Sequence, residues 1–317
     1  MTMEITPTTD ITPTTDVPSA TDVPSATVIP PPDHGQDIPP TTDVPLTTDV
    51  PPTTVVPPTM DIPSRRASGP PSGLAGPTGA SHVLDHPAHA ALTGPHAHFA
   101  EWRGRVVRYP VDVTPWLALP EEPDADDWAD AAALAGPGGE VPLLGFQGQV
   151  PEDWEVTFRF EGVQYVDEGL AVAPDPEAVR LGPADVPEIL DLIARTQPGP
   201  FLPRTIELGT YLGIRRGGAL VAMAGERLHP PGWTEISGVC TDPVVRGEGL
   251  ATRLILAVAH GIRERGETPF LHTGAGNTNA IRLYESLGFR LRRTTAFGAA
   301  RAPEGLLKGR TPAAPVS

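Results

Sequence analysis

The chain has 317 residues, 41 of them proline, a single cysteine and a formal net charge of −16. One cysteine excludes an internal disulfide framework and any multi-cysteine zinc site, and an acidic chain argues against non-specific nucleic-acid binding. No basic-then-apolar leader opens the sequence and no apolar run is long enough for a bilayer, so a cytoplasmic protein without a membrane partner is expected.

Residues 1–64 are built of six-residue units ending in Asp: Ile5–Asp10, Ile11–Asp16, Val17–Asp22, Ile38–Asp43 and Val44–Asp49. Each unit carries only one or two aliphatics and no helical period. It cannot bury enough apolar surface to offset chain entropy, so a disordered, polyproline-like tail is expected. A β-solenoid is the alternative for a six-residue repeat, but proline in nearly every unit removes ladder donors. Residues 65–80, rich in Gly, Pro and Ser, read as a linker. Charge is split along the chain. Residues 1–177 carry 27 acidic and 6 basic side chains, whereas residues 178–317 carry 12 and 17. The mildly basic second half suits an anionic ligand.

Residues 81–173 predict a smaller α/β accessory region. Strands are expected at Val141–Phe146 and Glu155–Val166, with a helix around Asp127–Leu134. Trp102, Trp116, Trp128 and Trp154 read as core or interface anchors. His82, His86, His89, His96 and His98 cluster ahead of the first tryptophan. The spacing of His82 and His86 fits two ligands on one helical face. Pro87 and Gly94–Pro95 break any helix that would align all five rings, so no metal is expected.

Residues 177–303 carry the regular pattern. Val179–Leu181 begins a strand, and Ala184–Thr196 reads as a helix started by Pro183. Tyr211–Arg215 and Ala219–Glu226 form a hairpin, and Thr234–Thr241 is the next strand. Leu250, Leu254, Val258 and Ile262, widened by Ala251, Ile255 and Ala259, make one buried helical face, stopped by Gly266 and Pro269. Phe270–Thr273 is a strand, Ala280–Leu287 a helix ended by Gly288, and Leu291–Phe297 a closing strand. The order β-α-β-β-β-α-β-α-β predicts an α/β mixed sheet with flanking helices. Residues 304–317 read as a flexible tail.

Two segments carry the chemistry. The first, Val239–Ala251, runs from a strand through Arg246-Gly247-Glu248-Gly249 into a helix beginning near Leu250. Glycines one residue apart permit φ > 0, and the amides of the turn and first helical turn, backed by the helix dipole, make a pyrophosphate cradle. Gly-x-Gly is also a common tight crossover, and this one completes neither G-x-G-x-x-G nor a nucleotide-triphosphate loop. The second segment is Asn277-Thr278-Asn279-Ala280-Ile281-Arg282-Leu283-Tyr284-Glu285-Ser286-Leu287-Gly288-Phe289. Together the two resemble the GNAT superfamily of acyl-CoA-dependent N-acetyltransferases, whose motifs run P-x-x-R-G-x-G-[LI]-[AG] and N-x-x-A-x-x-x-Y-E-x-x-G-F. The family's loop often opens with Gln or Arg where this chain has Val244.

The resemblance implies a GNAT mixed sheet, acetyl-CoA as co-substrate and a primary amine of a small molecule or peptide as acceptor. It also implies that the accessory region is a degenerate half of similar kind. The implied cofactor-binding residues are Val239, Thr241, Arg246, Gly247, Glu248, Gly249, Leu250, Ala251, Thr252 and Asn277, with the Val239 amide facing the oxyanion. Asn279 competes with Asn277 for the helix cap. Glu235 is the candidate base, on a strand face expected to hold Ser237, Val239 and Thr241 as well. The alternative for Glu235 is an ion pair with an arginine such as Arg227, and Glu226 is the next carboxylate. Tyr284 is the candidate acid for the leaving thiolate, against simple packing. Cys240, on the face opposite Glu235, reads as a small core residue. Phe201 and Arg204 lie in a loop that borders the acceptor pocket in this family, or else simply packs. Two other readings remain open: a coenzyme A-binding regulatory module without turnover, and an interaction protein acting through its repeat tail.

Overall fold

The computed structural model describes residues 82–303; the repeat tail 1–64, the linker 65–80 and the tail 304–317 lie outside the described residues. The first stretch holds α1 (Pro87–Leu92), β1 (Glu101–Arg103), β2 (Val106–Arg108), β3 (Leu117–Ala118), α2 (Ala125–Ala135), β4 (Glu140–Pro142) and β5 (Glu155–Asp167). Helix α2 starts where Asp124 and Asp127 form a reciprocal capping box. The strand expected over Val141–Phe146 is cut to β4. Beyond Pro142 the chain keeps only single bonds to its neighbour, Leu143 N–H to the Gly298 carbonyl and Gly145 N–H to that of Ala296. A small antiparallel sheet, β1-β2-β3, was not legible in strands this short.

The second stretch follows the expected order: β6 (Val179–Leu181), α3 (Val186–Thr196), β7 (Tyr211–Arg216), β8 (Ala219–Glu226), β9 (Trp233–Thr241), α4 (Leu250–Glu264), β10 (Thr268–Gly274), α5 (Thr278–Leu287) and β11 (Phe289–Arg301). The fold is α/β. Its eight-stranded sheet runs β4-β11-β5-β10-β9-β8-β7-β6. All neighbours are antiparallel except β9 and β10, which α4 joins by a crossover. Strand β5 lies between β10 and β11, so the sheet runs across the boundary expected near residue 175. All described residues belong to one compact unit.

Strand alternation sorts the core onto two faces. Val163, Tyr165 and Leu271 pack under α4 with Leu254, Ile255, Val258 and Ile262. Val166 and Phe270 point the other way, into a cluster with Leu84, Leu92, Phe99, Tyr109 and Trp116 of the first stretch. On that same face, further along the sheet, α3 supplies Ile189 and Leu192 against Tyr211, Met223 and Cys240. Trp116, Trp128 and Trp154 are buried as expected, but Trp102 is 51 % exposed at the edge of the small sheet. Among the described residues no helix is long and apolar enough to cross a membrane.

Candidate functional site

The site begins where two strands part. β9 and β10 pair only at Trp233–Thr268, Thr234–Pro269 and Glu235–Phe270. Beyond Glu235 the β10-facing edge of β9 has no ladder partner in β10, and its backbone groups are available to a ligand. A bulge sharpens the parting. Met223 pairs with Cys240 and Gly225 with Ser237, so Gly238 and Val239 together oppose one residue of β8, with Gly238 at φ +62°.

The bulge also corrects the expected face. Val239 packs with Ile236 in the α4 cluster, and Cys240 turns into the α3 cluster. An extra residue reverses the parity of everything after it, so Val239 does not share the face of Glu235, and Cys240 is not opposite it. Cys240 is nonetheless a buried core thiol, pushed up to about 11 chiefly by burial.

The strand then delivers the chain to the turn. Gly247 has φ +90° and Gly249 φ +74°, and the space a Cβ would occupy is open at both. Gly249 is the N-cap of the 15-residue α4 and offers no capping side chain, so the first amides of the helix remain free. Leu250 anchors the helix in the core, Ala251 and Thr252 are half-buried, and Arg246 and Glu248 are exposed. The Arg246 Nε lies 3.4 Å from the Thr241 carbonyl. The Thr241 hydroxyl is buried with no hydrogen-bond partner. An orphaned hydroxyl, two left-handed glycines with open space and an uncapped helix start fit the pantetheine and pyrophosphate of a bound acyl-CoA.

Helix α5 closes the other side. Asn277, not Asn279, is its N-cap, its side chain accepting from the Ala280 amide at 3.2 Å. Gly288 ends it at φ +105°. Tyr284 packs against Phe289 in the same cluster as Val239 and Leu250, and burial pushes its phenol up to about 12. The Tyr165 hydroxyl of β5 donates to Glu285 at 2.8 Å, which ties α5 to a strand of the accessory stretch.

Glu235 is fully buried. Arg227 Nε donates to its Oε2 at 2.9 Å and Nη2 to its Oε1 at 2.7 Å, a bidentate pair, and His272 Nδ1 lies 2.7 Å from Oε1. Burial would raise the carboxyl, but the Arg227 charge, its hydrogen bonds and His272 outweigh it and hold Glu235 at about 2. The ion pair with Arg227, one of the two sequence readings, is therefore present. Arg227 stacks 5.3 Å over Trp116. Gln164 of β5 lies 2.9 Å from His272 Nε2 and donates to the Leu84 carbonyl, while its oxygen accepts from Arg292. Glu226 is equally committed, accepting from the Thr210 amide and Arg265. His272 and Gln164 were missed because only the sheet register brings them to Glu235; no local spacing marks them.

Three histidines of the accessory stretch take packing roles. His96 is buried against Tyr109 and His229 and held at about 3, first by burial, while His82 and His89 lie edge-on to Trp233 and Trp102. Phe201 is buried against Tyr211, and Arg204 pairs with Glu207 and Asp112, so their loop packs.

A mixed sheet that parts at its one parallel pair, beside an amide turn opening the crossover helix, leaves free backbone groups where an acyl-CoA would fit. The family model described as FR47-like protein matches residues 211–297. The crystal structure of a putative GNAT-family acetyltransferase from Novosphingobium aromaticivorans is 38% identical with a TM-score of 0.64, covering 70% of this chain and 99% of that one. The chain belongs to the GNAT family of acetyltransferases. Mycothiol acetyltransferase of Thermomonospora curvata is 37% identical over 112 residues, 33% of this chain and 36% of that protein. Its counterpart in Thermobispora bispora is 36% identical over 119 residues, 33% and 38% of the two chains. The chain thus spans little more than a third of the length of the curated relatives it matches.

Proposed function

We propose that the protein transfers an acetyl group from acetyl-CoA to a primary amine of a small molecule or peptide. The observation that carries this reading is the parting of β9 from β10 after Glu235, in line with the glycine turn at one end and Tyr284 at the side. The turn Arg246–Thr252 holds the pyrophosphate through its amides, and Val239 and Thr241 hydrogen-bond the pantetheine with Asn277 nearby. The Val239 amide donates to the thioester oxygen as it becomes an oxyanion.

The neutral amine forms the new C–N bond, the C–S bond breaks, and the thiolate takes a proton. Tyr284 supplies that proton and regains one from the amine nitrogen, so no external base is consumed. Glu235 fits a different role. A carboxylate held at about 2, with both oxygens engaged, is a poor proton acceptor at neutral pH. It fixes Arg227 and His272 beneath the parted strands, as a positioning residue. The likeness to two mycothiol acetyltransferases supports a small-molecule acceptor over a protein one, though it covers only a third of each chain.

The commitment of Glu235 to an ion pair favours one second reading, a coenzyme A-binding module without turnover. Thiol release from acetyl-CoA against a panel of amines, amino acids and peptides separates the two. Amine-dependent release supports transfer; tight coenzyme A binding with no release from any amine supports the module.

A further inference from the structure

Strands β5 and β11 are both 13 residues long, and their far halves run past the end of β10 as a ribbon whose β11 edge carries the short β4. On the face that carries Gln164, His272 and Glu235, this ribbon displays three phenylalanines. Phe158 and Phe160 stack at 6.0 Å between ring centroids with 24° between planes, and Phe160 and Phe297 at 5.3 Å with 26°. Buried ring pairs elsewhere in the chain are mostly edge-on, as at Trp128–Trp154 and Phe201–Tyr211. Phe160 is 48 % exposed, and Phe158 and Phe297 are half-buried. Exposed stacked rings on a sheet face expend apolar surface that a soluble chain otherwise buries.

The strip leads into the site. Phe297 lies 6.1 Å from the His272 ring, and His272 in turn contacts Glu235. A pair of glycines makes room for this. Gly162 and Gly274 face each other across β5 and β10. A Cβ on Gly162 would come within 2.3 Å of the Phe297 ring, and one on Gly274 within 3.5 Å of Phe160. The rings therefore lie down over a stretch bare of side chains, toward the open edge where β10 has left β9. Three rings on the sheet face of Glu235, beside the end of β10 that has left β9, are placed for one occupant: the apolar body of the acceptor.

We propose that Phe160 and Phe297, with Phe158 beyond them, form the acceptor-recognition shelf, and that the acceptor is an amine carrying a flat apolar or aromatic group. This rests on the acetyltransferase reading of the same site and deepens it to a substrate class. Face-to-face stacking of such a group on Phe160 raises affinity while leaving the bond-making atoms untouched, so the shelf acts on KM and not on kcat.

The test uses the full chain and compares 2-phenylethylamine with ethylamine as acceptors, by thiol release from acetyl-CoA. The wild type is expected to favour 2-phenylethylamine at least about 10-fold in kcat/KM. Phe160→Ala, an exposed position, is expected to raise KM for 2-phenylethylamine about 10-fold while kcat, and all constants for ethylamine, stay put. Calorimetry of 2-phenylethylamine binding to the protein saturated with coenzyme A supplies a readout without turnover, and Phe160→Ala is expected to abolish it. Release from both amines at equal kcat/KM, or a Phe160→Ala variant that affects both alike, overturns the shelf and leaves the transferase reading intact. No release from either amine, with no 2-phenylethylamine binding, overturns the shelf, and the wider amine panel then decides the transferase reading on its own.

Discussion

Replacing Glu235 by Gln removes one charge from the most deeply buried ion pair of the site. Arg227 is 10% exposed at its side chain, His272 2% and Glu235 0%, so water cannot take over the role of the lost carboxylate. Holding the carboxyl from 4.5 down to about 2 corresponds to about 3 kcal/mol of folding free energy. Breaking a buried pair by removing one partner costs roughly 3–5 kcal/mol by analogy with other proteins, so the two routes agree in size. At roughly 2–4 °C per kcal/mol for a domain of this length, the melting temperature of Glu235→Gln should fall by about 10 °C. Because the folded value is depressed, the stabilisation is complete above the unfolded value near 4.5 and is lost as pH falls toward 2. The gap between wild type and variant should therefore be widest at neutral pH and narrow in acid. The assay is differential scanning fluorimetry from pH 3 to 8 beside a pH–rate profile. The two rate profiles should run parallel, rising with deprotonation of the acceptor amine. A variant of unchanged stability whose rate falls about 100-fold at pH 7 and recovers in alkali would refute the reasoning and make Glu235 the base.

Gly249→Val places a branched residue at φ +74°, at a strain of roughly 1–3 kcal/mol, and fills open space at the turn; calorimetry should show acetyl-CoA binding lost in a protein that remains folded by circular dichroism. Tyr284→Phe removes only the phenolic oxygen, and turnover should fall about 10- to 1000-fold with coenzyme A affinity nearly unchanged, since the ring still packs on Phe289. Deleting residues 1–64 should leave melting temperature and turnover where they are, as a repeat without a core predicts; a drop in either would show that the tail docks.

The parts of the fold legible in the sequence were those whose signal is local. The four-residue recurrence from Leu250 to Ile262 gave α4, and the glycines at 247, 249, 266 and 288 all take left-handed backbone where a turn or cap was expected. What the sequence did not yield depends on distant pairing. Nothing near β5 says that it inserts between β10 and β11, since the hydrophobic alternation of a strand does not name its neighbour. Gly238 inside a strand was the one local sign of a bulge, and reading it would have placed Val239 and Cys240 on their proper faces. The same holds for the site. The glycine turn and the tyrosine helix are contiguous motifs, whereas the Arg227–Glu235–His272–Gln164 chain and the phenylalanine shelf exist only once four strands are in register.

In the proposed reaction the acetyl group passes directly from the thioester to the amine at the parted strands, with no acyl-enzyme between. A single-turnover mixture of the protein, acetyl-CoA labelled in its acetyl carbonyl and 2-phenylethylamine tests it most directly. All of the label that leaves the thioester should appear as the amide, one free thiol per amide, with none on the protein, because the sole cysteine is buried with its thiol pushed up to about 11. Label that stays on coenzyme A while the thioester is bound, or that becomes covalently attached to the protein, would contradict it.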